Sequence, residues 1–341
     1  MRQRTTIIIG LFISAALIGA VLSGVDLGRV QSALSGARYG YVFPAVALLG
    51  VGLLTRAMRW RVLLHGRLPL EHAFHILNIS YLFNGALPFR LGELARIFLA
   101  TRVPQAVPAF TTLSTILVER LLDLLVVTGM LGLVLALMDV PDAVASAGLI
   151  LGLGALAGLI GLAVLAHRPG WAFCLVSSFQ QAIPGLARWR LQDVLNRFVD
   201  GLAPLADWRG LVLAVVWSLV SWVLSVAAGY VLMYAFFPAA SWIATLLFIA
   251  LASLAVSVPY APGAVGPYEA GVVLALGLTG YDQPEGAAVA FAIVLHVMTT
   301  GVFVVMGTLG LLQEGISLGQ VMHGARQVNG AEAKSAPGIV E

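Results

Sequence analysis

A chain of 341 residues that is 60% apolar and only 10% charged, with a mean hydropathy of +0.97, cannot cover a soluble surface. Soluble domains carry about 25% charged residues and roughly 45–50% apolar ones, so lipid must be the solvent for most of this chain. A net charge of +3 gives no sign of a nucleic-acid partner, and the single cysteine, Cys174, excludes an intramolecular disulfide framework and a Cys-based metal site.

Taken from the N-terminus, Arg2 and Arg4 precede an apolar run from Ile7 to Leu22. That arrangement is similar to a secretory signal peptide, but the run is long and the chain after it equally hydrophobic, so an uncleaved anchor is expected. A hydrocarbon core about 30 Å thick takes about 20 apolar residues of helix. Segments at 5–24, 41–55, 124–138, 147–166, 210–237 and 286–312 meet that need. Two further stretches, 72–88 and 242–258, each run into a motif rich in Pro, Gly and Glu.

Arginine bias sets the orientation. With every stretch crossing once, the two sides carry nearly equal numbers of basic residues. With 72–102 and 242–281 as re-entrant hairpins, Arg29 and Arg38 alone stay outside. Fourteen basic residues, among them Arg56, Arg59, Arg61 and the run from Arg168 to Arg209, then lie inside. The fold expected is therefore an all-α polytopic membrane protein: six spans, both termini cytoplasmic, and two hairpins inserted from opposite faces. Such hairpins suggest an inverted repeat, a common transporter plan. Residues 1–315 read as a single transmembrane domain. Within it, 167–209 is a cytoplasmic segment whose Leu191, Val194, Leu195, Phe198 and Leu202 fall at helical spacing, the pattern of an amphipathic helix on the membrane surface. The stretch 316–341 reads as a disordered tail. His72 and His75 are spaced as a metal pair would be, but no third ligand is nearby, and no metal is expected.

The informative residues are ionisable groups at membrane depth: Arg90, Glu93, Arg96, Glu119, Arg120, Asp123 and Glu269. Left unpaired, seven such charges would cost on the order of 20 kcal/mol. They must pair, line a wet cavity, or both. Glu119 and Asp123 share one helix face and need a cation opposite, which Arg90 or Arg96 can supply. Arg120 points about 100° away from Glu119, with Glu93 as its expected partner. Reversing the charges of Arg96 and Glu119 together should restore what either reversal loses. Glu269, in the first turn after the second break, can cap that helix, carry a proton or meet a head group. Arg56, Arg59 and Arg61 are explained as cytoplasmic topology signals, with attraction for an anionic head group as the alternative.

The run Asn84-Gly85-Ala86-Leu87-Pro88-Phe89-Arg90-Leu91-Gly92-Glu93-Leu94-Ala95-Arg96 resembles the first signature of the lysylphosphatidylglycerol synthase transmembrane-region family, the flippase-like membrane proteins. Glu119-Arg120-x-x-Asp123 resembles the second, and Pro262-Gly263-x-x-Gly266-x-x-Glu269 the third, with Ala264 where a second glycine is usual. The resemblance spans roughly residues 5–315. It implies a lipid translocase that moves an anionic phospholipid or polyprenyl-linked lipid between leaflets of the bacterial inner membrane. The chain ends soon after its last span, so no aminoacyl-transferase domain is expected; nor is a cofactor or, given the small net charge, a nucleic-acid partner.

On that reading Arg90 and Arg96 bind phosphate, while Glu93, Glu119, Asp123 and Glu269 hold the arginines or shuttle protons. Asn84, Pro88 and Gly92 shape the first tip; Pro262, Gly263 and Gly266 shape the second. The sequence contains no Walker-type phosphate loop, so direct ATP use is not expected. The alternatives are an intramembrane enzyme acting on a lipid phosphate, with Glu93 or Asp123 as base, and a non-catalytic membrane partner of an envelope-lipid synthase.

Overall fold

The computed structural model describes residues 19, 26–86, 91–182, 191–257, 262–284 and 286–324. Among the described residues the chain is helical, with no strand. A short helix, α1 (Leu27–Gly36), is capped by Asp26, which accepts from Gly28 N at 2.8 Å. After it come α2 (Val42–Leu63), α3 (Leu70–Ala86), α4 (Leu91–Ala100), α5 (Ala109–Leu135) and α6 (Asp142–His167). Three shorter helices, α7 (Gly170–Ala182), α8 (Leu191–Asp200) and α9 (Ala203–Ala206), lead to α10 (Trp208–Phe236). The last group is α11 (Trp242–Ser257), a 3-10 turn at Pro262–Ala264, α12 (Pro267–Leu278) and α13 (Ala287–Gln313).

Four helices are long and apolar enough to cross a membrane: α2 with its leading turn, α6, α10 and α13. With 27 residues α5 matches them in length but carries Glu119, Arg120 and Asp123. It begins at Ala109, well before the expected 124, because its charges are paired and do not interrupt the helix. Likewise α2 runs on past the expected end at residue 55 to Leu63. The expected first span, 5–24, lies outside the described residues apart from Gly19.

At 1.5 Å per residue, α3, α4, α11 and α12 reach only about 26, 15, 24 and 18 Å, each short of a core about 30 Å thick. They pack pairwise as two hairpins, α3 on α4 and α11 on α12. The direction of each hairpin follows from α2 and α10, which run antiparallel. Arg38 N donates to Ala235 O at 2.9 Å near the start of α2, and Arg59 reaches Ser218 near its end. One hairpin follows the end of α2 and the other the end of α10, so they enter from opposite ends of the bundle. Packing is reciprocal: α3 lies on α13, α11 lies on α5, and α2 lies on α10. Span, hairpin, span therefore occurs twice in opposite orientation. The tips meet where a Cβ on Gly263, at φ +63°, would stand 3.1 Å from Gly85 O.

Each tip has a local cause. Asn84, near the end of α3, accepts from Gly92 N at 2.9 Å and so caps the free N–H groups that open α4. A side chain at Gly92 could not fit, since its Cβ would lie 2.0 Å from Ser80 O. At the second tip Ala264 has φ +55°, a left-handed conformation that is costly for any residue with a Cβ.

The expected amphipathic helix forms as α8. Leu191, Val194, Leu195 and Phe198 are partly covered while Asp193, Arg197 and Asp200 are exposed. Residues 318–324, inside the stretch expected as a disordered tail, are helical, and Val321 is fully buried in a cluster with Phe98. The rest of that stretch, 325–341, lies outside the described residues.

Gly92→Ala is expected to destabilise the first hairpin by about 1–3 kcal/mol, the usual range for overpacking. Ala264→Gly should do the reverse, by about 1 kcal/mol, by relieving the left-handed alanine. Melting of the detergent-purified variants checks both. An unchanged Gly92→Ala midpoint would contradict the close helix approach.

Candidate functional site

On α5, Glu119 and Asp123 stand one turn apart and face the bundle. Two buried carboxylates there are tenable only with a cation between them. Arg59 of α2 is that cation: Nη2 lies 2.6 Å from Glu119 Oε1 and Nη1 2.5 Å from Asp123 Oδ1. Its Nη1 also donates to Ser218 Oγ at 3.1 Å. The second oxygen of Glu119 accepts from Arg96 Nη2 at 2.7 Å, and the Arg96 guanidinium lies 3.9 Å above the Trp60 ring. Asp123 takes a further bond from Trp222 Nε1 at 3.0 Å. One connected set of charges thus ties α2, α4, α5 and α10 together. Beside it Arg120 donates to Glu93 through Nε at 2.9 Å, with Nη2 at 2.7 Å from the same oxygen.

These contacts refine the sequence expectations. Arg96 does reach Glu119, and Arg120 does reach Glu93. Asp123, however, is held by Arg59, which was read as a topology signal on the cytoplasmic surface. With its side chain only 1% exposed, Arg59 belongs to the buried network. The signal was available: Arg56 and Arg59 are one turn apart in an apolar run that continues to Leu64 with no helix breaker. Because Glu119 serves two arginines, exchanging the charges of Arg96 and Glu119 would set a new arginine beside Arg59, so the double reversal is no longer expected to restore stability. Pro88 and Arg90 lie outside the described residues.

In the second half, Glu269 performs two tasks. One oxygen accepts from Gly266 N at 2.7 Å, capping the start of α12, and the other lies 2.6 Å from His296 Nδ1 on α13. The Tyr268 ring lies against His296 at 4.5 Å between centroids. His296 was not singled out in the sequence, since a lone histidine in an apolar helix has no local signature. His72 and His75 both turn Nδ1 toward Glu314, at 2.8 and 3.1 Å, which fastens the start of α3 to the end of α13. Among the described residues no group of three His, Cys, Asp or Glu is set to hold a metal ion.

Between the two repeats lies a cavity of about 440 Å³, within the roughly 300–1,000 Å³ of small-molecule sites. Its walls come from α2 and α5 of the first repeat, α10 to α13 of the second, and one residue of α6. Most of the lining is apolar. The polar groups on the first-repeat side and α10 are Arg56, Arg120, Asp123, Trp222 and Ser225; Ser253, Tyr268 and Thr299 line it from α11 to α13. Of the predicted site residues, Arg120 and Asp123 reach this cavity. Glu93, Arg96, Glu119 and Glu269 stand behind it, in contact with residues that line it or hold its walls. Asn84, Gly92, Gly263 and Gly266 shape the tips, where Pro262 opens the 3-10 turn.

Truncating Arg59 leaves two buried carboxylates without their shared cation. Arg59→Ala is expected to cost about 3–5 kcal/mol, and more than Arg96→Ala, which leaves Glu119 paired with Arg59. Thermal unfolding in detergent orders the two variants. Equal losses, or a larger one for Arg96→Ala, would contradict this hierarchy.

The family described as lysylphosphatidylglycerol synthase TM region matches residues 7–307. Glycosyltransferase AglD of Haloferax volcanii is 24% identical, over 98% of this chain and 58% of its own length. The chain thus spans little more than half of that curated relative. No solved structure matches. With the three motifs in order and nearly the whole length matched, this multi-pass membrane protein belongs to the lysylphosphatidylglycerol synthase transmembrane-region family.

Proposed function

We propose that the protein is a lipid translocase, moving a lipid with an anionic head group between the leaflets of the cytoplasmic membrane. The observation that carries this reading is the cavity. It lies between two oppositely oriented repeats, it is mostly apolar, and its polar groups include the charged Arg56, Arg120 and Asp123. Transporters built on inverted repeats bind their cargo at such an interface. An apolar wall with a charged patch suits an amphipathic cargo, since acyl chains need no polar partner and a phosphate does. Two helical hairpins that meet at their tips also provide a joint about which the repeats can rock.

Orientation is part of this proposal. Moving Arg56 and Arg59 from the surface into the bundle leaves twelve basic residues on the inner side against Arg29 and Arg38 on the outer, still the bias of a protein with cytoplasmic termini. Glu314, just past α13, meets His72 at the start of α3, so the end of the last span and the base of the first hairpin share one side.

A second reading, an intramembrane transferase, draws support from the name of the AglD relative. It needs a carboxylate free to act as a base. Asp123 is engaged by Arg59 and Trp222, and Glu93 by Arg120, which favours transport.

The test is lipid flipping by purified protein in liposomes, followed with fluorescent phosphatidylglycerol or a labelled polyprenyl phosphate and a membrane-impermeant quencher. Wild type should accelerate loss of the inner-leaflet signal. Ser253→Trp, which fills the cavity from α11, should cut that rate at least about tenfold. No acceleration by wild type across the lipid panel, with or without a proton gradient, contradicts translocation. Product formation in the lipid extract would favour the transferase.

A further inference from the structure

Four arginines and three carboxylates make up the charges of the described network and cavity: Arg56, Arg59, Arg96 and Arg120 against Glu93, Glu119 and Asp123. Arg59 and Arg96 are met by Glu119 and Asp123, and Arg120 is met by Glu93. Of these arginines, Arg56 is the one that the ion pairs of the described residues join to no carboxylate. Its guanidinium instead has two long contacts with neutral hydroxyls, Tyr81 at 3.4 Å and Ser225 at 3.3 Å. It also lies over two aromatic rings, Tyr81 at 5.8 Å and Trp222 at 5.6 Å. Such rings hold a cation in place without cancelling its charge.

Arg56 is also where a ligand could reach it. It lines the cavity, and it stands seven residues before the end of α2, about 10 Å along the helix. Arg96, expected from sequence to bind phosphate, is differently placed. Its guanidinium is engaged by Glu119 and Trp60, its side chain is 4% exposed, and it does not line the cavity.

We infer that Arg56 is the anion-binding residue of the cavity, and that its guanidinium, held by the Tyr81 and Trp222 rings, takes the phosphodiester of a lipid head group. This rests on the translocase reading and deepens it. A guanidinium offers paired N–H donors that match two phosphate oxygens. The cargo favoured is a phosphodiester lipid whose head group adds no cation, such as phosphatidylglycerol. A zwitterionic lipid would bring an added ammonium with no free carboxylate to meet it, because Asp123 is already engaged on both oxygens.

The experiment reads binding without transport. The full-length protein is extracted from vesicles of equal phosphatidylglycerol and phosphatidylcholine, and the co-purified lipid is quantified by mass spectrometry. Wild type and Arg56→Lys should retain phosphatidylglycerol preferentially, and Arg56→Gln should lose that preference by about tenfold. Ser225→Glu, which sets a carboxylate beside Arg56 without removing it, should lose it as well, and decides the matter if Arg56→Gln does not fold. Undiminished preference in a folded Arg56→Gln or Ser225→Glu overturns the assignment. So does displacement of the retained lipid by millimolar inorganic phosphate, which would mark a site for a soluble anion. Flipping that persists with undiminished lipid preference in Arg56→Gln refutes this inference alone, whereas Arg56-dependent retention without any flipping refutes the translocase reading alone.

Discussion

Everything at the centre of this protein depends on Arg59 lying between Glu119 and Asp123. A carboxylate at membrane depth is tolerated only when its charge is answered, and α5 carries two of them one turn apart. Arg59 answers both, from a helix whose other neighbour is α10. Once it is in place, Glu119 has an oxygen to spare for Arg96, and Asp123 can accept from Trp222. The first hairpin, the fifth helix and the second repeat are thereby locked to one another by polar bonds in a setting where apolar contacts alone give little preference for one partner over another.

The same arithmetic of charge gives the cavity its character. The paired groups form its rigid back, and Arg56, joined to no carboxylate by the described ion pairs, faces the space between the repeats. A membrane protein keeps such a charge at a cost, which a ligand of opposite sign can offset. The hairpins supply what the proposed transport would also need, helices that stop short of crossing. Asn84 and Glu269 cap the two breaks in equivalent places, so each half of the repeat solves the same backbone problem with a different side chain.

Much of this was legible in the sequence because lipid makes charge conspicuous. Glu93, Arg96, Glu119, Arg120 and Asp123 stood out against apolar surroundings, and helical spacing suggested Glu93 as the partner of Arg120 and narrowed the cation facing Glu119 and Asp123 to Arg90 or Arg96. The hairpins were legible from arginine bias, which is a property of whole loops and tolerates local error. Arg56 and Arg59 were misplaced for the opposite reason. Near the end of a span, arginine is also the ordinary signal of the cytoplasmic face, and that reading outweighed the apolar run that carries this stretch of α2 on, against α5 and α10. His296 and Trp222 were invisible because their partners lie 27 and 99 residues away on helices whose facing cannot be read from periodicity in a uniformly apolar segment.

The central claim is that a lipid head group enters the cavity between the repeats. Photocrosslinking in proteoliposomes tests it most directly, using phosphatidylglycerol with a diazirine on its head group and peptide mapping of the adducts. The account predicts adducts on cavity residues such as Trp222, Ser225, Leu254 and Thr299. Labelling confined to outward-facing residues such as Leu149, Ile150 and Leu312, with the cavity bare, would contradict it.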